Sequence, residues 1–312
     1  VEESPRADRL KEKLADALVG LGFSEILTNS ITNSAHFAEA QLAGTVRLLN
    51  NLSSELDVLR PSMLPTALEV IAFNSNRRNS DLKFFEFGKT YGTSGAGQYS
   101  EQNHLCLYVT GQLTPQTWKG KAVAADTYYV KGAVETLLRL CGVPAEATTE
   151  VGADSHADGL TGIVSFRHHN KLLARAGRVE GALAGRFDLK APVFVADIDW
   201  DALMKAATAV KLQYREVPRY PVVHRDLAVV IPSGIPFAAI EQQVGKLRLP
   251  KLQGTRLFDI FESEKLGAGK KSLAVNFTFL DEEKTLTDKE IDGWMQKIMF
   301  TLEKELGAEI RK

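Results

Sequence analysis

The run Ser272-Leu273-Ala274-Val275-Asn276-Phe277-Thr278-Phe279 alternates small or polar side chains with large apolar ones. That is the period of a strand with one face buried. Leu273, Val275, Phe277 and Phe279 are expected inside, and Ser272, Ala274, Asn276 and Thr278 outside. Outward from this run, residues 225–231 and 256–261 read as further strands and 309–311 as a short last one. Residues 236–247 and 288–306 carry helical spacing. The order is β-α-β-β-α-β, the ferredoxin-like split βαβ arrangement, with both helices on one side of a four-stranded sheet. Its other face is open. In 225–231, Leu227, Val229 and Ile231 are assigned inside and Asp226, Ala228 and Val230 outside. In 257–261, Phe258 and Ile260 are assigned inside, because the alternative buries Asp259; Leu257, Asp259 and Phe261 then point out. The open face is small and polar with one ring, Phe261, beside one carboxylate, Asp259. This pair suits a nucleobase, since the ring stacks (roughly 1–3 kcal/mol per base) and the carboxylate accepts from base amino groups. The same pattern also fits Phe261 packing against a neighbouring domain.

Upstream, residues 4–21 read as a helix, with Ser4 as cap, Pro5 in the first turn, and Leu10, Leu14, Ala17, Leu18 and Leu21 at helical spacing up to Gly22. Strands are expected at 24–32, 46–49, 82–91, 104–111 and 194–199, with a hairpin at 162–167 and 171–179. Residues 63–76 and 128–141 read as helices. In the first of these, Leu64, Leu68, Ile71 and Ala72 form one stripe, which serves a subunit interface or the domain's own core. Strands joined by hairpins and helices indicate an α+β sheet domain. The structural signal falls over 206–212, so the expected domains are 1–208 and 213–312.

A chain of 312 residues accommodates two ordinary cores. No apolar run approaches the roughly 20 residues of a membrane span, and the acidic, polar start does not fit a secretory signal. Val1 in place of Met suggests a piece of a longer chain. A formal net charge of -1 places any RNA binding on a local surface. Cys106 and Cys141 sit among apolar residues and read as buried thiols in a reducing cytosol. Neither has a partner at metal-like spacing. His168-His169 reads as a polar hairpin tip whose two side chains point to opposite faces, with no metal site expected. Gly267-Ala268-Gly269-Lys270-Lys271 lacks Walker spacing and reads as a hairpin turn.

Residues 214–228, Tyr-Arg-Glu-Val-Pro-Arg-Tyr-Pro-Val-Val-His-Arg-Asp-Leu-Ala, resemble the entry to the anticodon-binding domain of the phenylalanyl-tRNA synthetase β-subunit family, bacterial type. So do Leu257-Phe258-Asp259-Ile260-Phe261, Gly269-Lys270-Lys271-Ser272-Leu273 and Thr285-Leu286-Thr287-Asp288. Leu52-Ser53-Ser54-Glu55-Leu56, Leu59-Arg60-Pro61-Ser62-Met63-Leu64-Pro65 and Phe84-Phe85-Glu86-Phe87-Gly88 are similar to that subunit's catalytic-like domain, a relative of the class II synthetase fold. The two matches cover nearly the whole chain, as the C-terminal portion of the subunit. The resemblance implies that Ala228, Asp259, Phe261 and Ser272 approach the tRNA anticodon, with Phe261 stacking. It also implies an α-subunit partner in a heterotetramer of two α and two β subunits, tRNA(Phe) as ligand, a cytoplasmic setting, and ATP and magnesium held by the α subunit and not by this chain. The segment 60–76 is similar to the class II first motif, which builds subunit interfaces.

The resemblance further implies that this chain alone is inactive, with no catalytic residue. A class II site holds ATP phosphates with arginines on its second and third motifs, because guanidinium forks neutralise phosphate best. Here the second-motif strand, 83–87, has Phe where that Arg would sit. The third-motif strand, 194–203, has Asp197, Asp199 and Asp201 and no Arg. Two other classes remain open, a self-contained ATP-dependent ligase of class II fold and a regulatory module binding a small molecule.

Overall fold

The structure, a computed structural model, describes residues 6–311 apart from 52, 145, 150–155, 210–213, 215, 264, 265 and 268. Ser4 and Pro5, the expected cap, lie outside the described residues. The chain divides into two units, Val1–Lys211 and Leu212–Lys312, each with apolar clusters of its own.

In the first unit, helix α1 (Arg6–Gly20) sets Leu14 and Leu18 into the core. It ends at Gly22, whose φ of 85° lets the Phe23 N–H return to the Leu18 carbonyl. The strand expected over 24–32 is two short pieces, β1 (Ser24–Glu25) and β2 (Ile31–Thr32). A single turn, α2 (Glu39–Leu42), precedes β3 (Val58–Leu59), which pairs with β2. The strand expected at 46–49 is reduced to one antiparallel bridge, Arg47 to Val58, with the Leu48 N–H donating to the Asp57 carbonyl and the Leu59 N–H to the Val46 carbonyl. Helix α3 (Leu64–Ser75) leads to a long hairpin, β4 (Leu82–Gly95) and β5 (Gln98–Thr110). These strands run into the turn expected at 92–98. A side ribbon, β6 (Gln112–Thr114) with β7 (Val123–Ala124), precedes α4 (Thr127–Leu140), whose start is capped by the Asp126 carboxylate accepting the Tyr129 N–H. Then come β8 (Glu146–Thr149), β9 (His156–Ala157), β10 (Leu160–His168), β11 (Lys171–Val179), α5 (Gly181–Arg186), β12 (Val193–Asp199) and α6 (Trp200–Ala209). Helix α6 springs directly from β12, so the falling signal at 206–209 is the end of a helix and Ala207 is buried.

The large sheet runs β1-β4-β5-β12-β11-β10-β8, with β9 on β10. β1 is parallel to β4 and the other pairings are antiparallel. Residues 104–110 of β5 are buried without alternation, as expected for a strand covered on both faces. Leu105, Leu107 and Val109 meet α1, α4 and α6 on one face. Cys106 and Tyr108 meet α3 on the other. There Leu64, Leu68 and Ile71 are 7%, 0% and 1% exposed. This corrects the interface reading of that stripe, because side chains enclosed by their own sheet present no surface to a partner. The β10–β11 hairpin turns at His169 and Asn170, both at positive φ, the signature of a type I′ turn. That conformation corrects the opposed-faces reading, since it brings the His168 and His169 ring centroids to 4.1 Å.

The second unit contains β13 (Val223–Pro232), α7 (Phe237–Lys246), β14 (Leu252–Phe261), β15 (Lys270–Phe279), α8 (Asp288–Leu306) and β16 (Glu309–Arg311). Sheet order is β14-β15-β13-β16, antiparallel throughout, the ferredoxin-like topology. Leu273, Val275, Phe277 and Phe279 join Leu227, Val229 and Ile231 against Ile240 and Val244 of α7 and Ile291, Ile298 and Leu302 of α8.

β14 departs from the expected alternation. Leu257 pairs with Val275 but Asp259 pairs with Ala274, so Phe258 is an extra residue, a β-bulge. The bulge puts Leu257 on the core side, packed against the cluster, and displaces Phe258, which is 54% exposed; Ile260 keeps its pairing with core-side Leu273 but is also 54% exposed. The expected buried pair is thus corrected. Asp259 and Phe261 keep their outward direction, fixed by their partners Ala274 and Ser272.

Candidate nucleic-acid interface

The open face of the second unit is a grid set by strand register. Phe261 (β14), Ser272 (β15), Val230 (β13) and Glu309 (β16) form one row. Asp259, Ala274, Ala228 and Arg311 form the next, and Arg256, Asn276 and Asp226 the third. The four residues singled out from sequence therefore occupy two adjacent rows. Phe261 and Ser272 are neighbours; Ala228 and Asp259 are separated by Ala274, about 10 Å at the usual strand spacing.

Phe261 is 53% exposed, so one side of its ring is open. Asp259 is exposed and accepts its neighbour Ile260's backbone N–H. Ala228 is half-buried and supplies a low floor. Ser272 differs from expectation: it points to the open face but is only 9% exposed, and Val230 beside it only 4%. Both stand on central strands, where register places them between Phe261 and Glu309. Ser272 is consequently a nearly buried hydroxyl on that face and not a protruding donor.

Further along the face, the Asn276 amide donates to Asp226 at 2.6 Å, and His224 Nδ1 lies 3.1 Å from Thr278 Oγ1. These hydrogen bonds hold polar edges in fixed positions. Arg256 and Arg311, both exposed, are the cations of the grid, and sequence reasoning missed them. Arg311 shares its face with Glu309 by simple alternation within 309–311, whereas unbroken alternation puts Arg256 inside with Phe258 and Ile260, and only the bulge after Leu257 turns it to the open face.

In the first unit, the sheet face toward α3 is polar at its upper end. Glu86 is fully buried and accepts from the Thr28 N–H and hydroxyl and from Arg60 Nη1 at 3.2 Å. Arg60, 2% exposed, also donates Nε–H to the Lys89 carbonyl at 2.8 Å. Gly88 lies under this guanidinium, and a Cβ there would overlap Arg60 and Met63. The three aspartates of 194–203 are all engaged: Asp197 with His104 Nδ1 at 2.7 Å, Asp199 with the Ala202 N–H at the start of α6, and Asp201 with the Asn103 amide. Neither β4 nor β12 carries an arginine. Among the described residues, His104, Cys106 and Asp197 come together as a group, although Cys106 had no metal-like partner in sequence. Pairing of Asp197 with Cys106 across β12 and β5 creates the group. Burial, reinforced by the Asp197 charge, pushes the Cys106 thiol well above its ordinary value.

On the outer side of α3, Phe73 is 56% exposed with the Arg77 guanidinium over its ring. Leu27 (91% exposed), Leu56, Ile31 and Val70 line a groove with it. None of the described helices is long and apolar enough to cross a membrane.

Comparison with known proteins gives two family matches. Residues 1–200 match the phenylalanyl tRNA synthetase beta chain CLM domain, and residues 218–311 match the ferredoxin-fold anticodon binding domain. The phenylalanine–tRNA ligase beta subunit of Bacteroides fragilis is 37% identical over 317 residues, covering 98% of this chain and 38% of that protein. That of Bacteroides thetaiotaomicron is 37% identical over 99% of this chain and 39% of its own length, and that of Salinibacter ruber 34% identical over the same shares. The chain thus spans under two fifths of the length of these curated relatives. Among solved structures, pyrrolysyl-tRNA synthetase from Desulfitobacterium hafniense superposes with TM-score 0.51 at 19% identity, over 64% of this chain and 68% of that one. This likeness supports the α+β, class II synthetase-like fold.

Proposed function

The chain belongs to the phenylalanyl-tRNA synthetase β-chain family, and from that premise we propose that its second unit grips the anticodon of tRNA(Phe) while its first unit supports a catalytic α subunit. The observation that carries this reading is the half-exposed Phe261 ring standing on the open face beside Asp259 and paired with the nearly buried Ser272. A base stacks on the ring while its amino edge meets the carboxylate. Ala228 and Ala274 leave clearance for the sugar-phosphate chain, and Arg311 offers a cation to a phosphate.

The first unit takes no part in chemistry in this reading. Where ATP phosphates need arginine forks, its strands offer Glu86 and Asp197, and the buried guanidinium of Arg60 is already engaged by Glu86 and a carbonyl. ATP and magnesium therefore belong to the α subunit of a cytoplasmic heterotetramer. The surface of this unit that meets the α subunit is assigned to the exposed groove of Leu27, Leu56 and Phe73 and not to the buried stripe of α3.

Phe261→Ala in the assembled enzyme is expected to raise KM for tRNA by about 5- to 150-fold, the equivalent of one base stack, with ATP–pyrophosphate exchange unchanged. Unaltered tRNA kinetics would remove Phe261 from the interface. The competing self-contained ligase requires this chain alone to bind ATP or an adenylate analogue at micromolar concentration, which calorimetry decides directly.

A further inference from the structure

We propose that His104, Cys106 and Asp197 form a binding site for a divalent cation of the zinc class, bridging the two central strands of the first unit. The period of β5 puts His104 and Cys106 on the same face, and register sets Asp197 of β12 directly opposite Cys106. Their ligand atoms all lie within 4.8 Å of one another. His104 Nδ1 is 2.7 Å and Cys106 Sγ 3.5 Å from Asp197 Oδ1. A tetrahedral zinc with bonds near 2.0–2.3 Å holds its ligand atoms roughly 3.3–3.8 Å apart. The thiol–carboxylate pair is already at that spacing. The imidazole–carboxylate pair must part by under about 1 Å, and the Asp197 side chain, 43% exposed, has room to make that shift.

Three further features favour a cation of this class. One sulfur, one imidazole nitrogen and one carboxylate suit zinc and its neighbours, whereas magnesium and calcium demand oxygen throughout. The far nitrogen of His104 is held by Thr90 Oγ1 at 2.9 Å, the kind of outer hydrogen bond that fixes a ligating ring. Exposure at Asp197 leaves one side for entry and for a fourth, water ligand. The same groups hydrogen-bond one another, and a purely structural cluster would do no more than that.

Cobalt(II) titrated into the metal-stripped chain under a non-thiol reductant separates the two. The expected result is one equivalent bound with an intense thiolate-to-cobalt charge-transfer band, bleached by zinc. Cys106→Ser should abolish the band, while Cys141→Ser and the paired His168→Ala, His169→Ala variant should keep it. Asp197→Asn, at a partly exposed position, should weaken binding by about tenfold or more. No thiolate band from the unaltered chain, a band surviving Cys106→Ser or missing in Cys141→Ser, or full affinity in Asp197→Asn would each overturn the site. The tRNA role stands or falls separately.

Discussion

Glu86 and Arg60 form an ion pair almost sealed from solvent, the carboxylate fully buried and the guanidinium 2% exposed. Such a pair contributes little net stability, because desolvation offsets attraction, but removing one partner strands the other charge. Glu86→Ala is expected to destabilise the chain by about 3–5 kcal/mol. Urea denaturation would register it as a lower midpoint at unchanged slope; a change of less than about 1 kcal/mol would mean that water reaches Arg60. At this scale the sequence was partly legible. Phe261 and Asp259 were placeable because each strand residue has only two faces to choose between. The burial of Ser272 was not, since it depends on the side chains of two other strands.

Among the elements, α8 shows local rules acting undisturbed. Thr287 precedes it, the Glu290 carboxylate accepts the Thr287 N–H at 3.0 Å, and Gly307 ends it at φ 60°. Its bounds were readable because caps and apolar spacing lie within the element. The Lys284 ammonium, then the Thr287 donors, hold the Glu290 carboxyl down at about 2, against an ordinary 4.5. A depressed carboxyl stabilises the folded state above its unfolded value and loses that contribution as pH falls through the folded one. Between pH about 4.5 and about 2, the chain should therefore lose stability more steeply than Glu290→Gln. Urea midpoints measured across that window test it, and parallel curves would contradict it. β14 is the opposite case. Its bulge at Phe258 inserts one residue, and a reading that assumed unbroken alternation buried Phe258 in place of Leu257.

For the molecule as a whole, a net charge of -1 over 312 residues leaves RNA affinity to a few placed cations. Arg256 and Arg311, exposed on the grid, are the ones this reading assigns to phosphates. Arg311→Ala and Arg256→Ala should each weaken tRNA binding and flatten the dependence of log affinity on log salt by up to about 0.7 for every phosphate left unneutralised. Binding at several salt concentrations measures this, and an unchanged slope would place both side chains away from the backbone. The sequence by itself determined the order of elements in the second unit, the α+β class and the family, because periodicity, caps and motif spacing are local properties of the chain. Only tertiary structure decided that the α3 stripe is core, that a bulge reverses half of β14, and that His104, Cys106 and Asp197 meet. Those outcomes depend on register between strands as much as 93 residues apart, which is set by all the pairings of a sheet together and is written in no single segment.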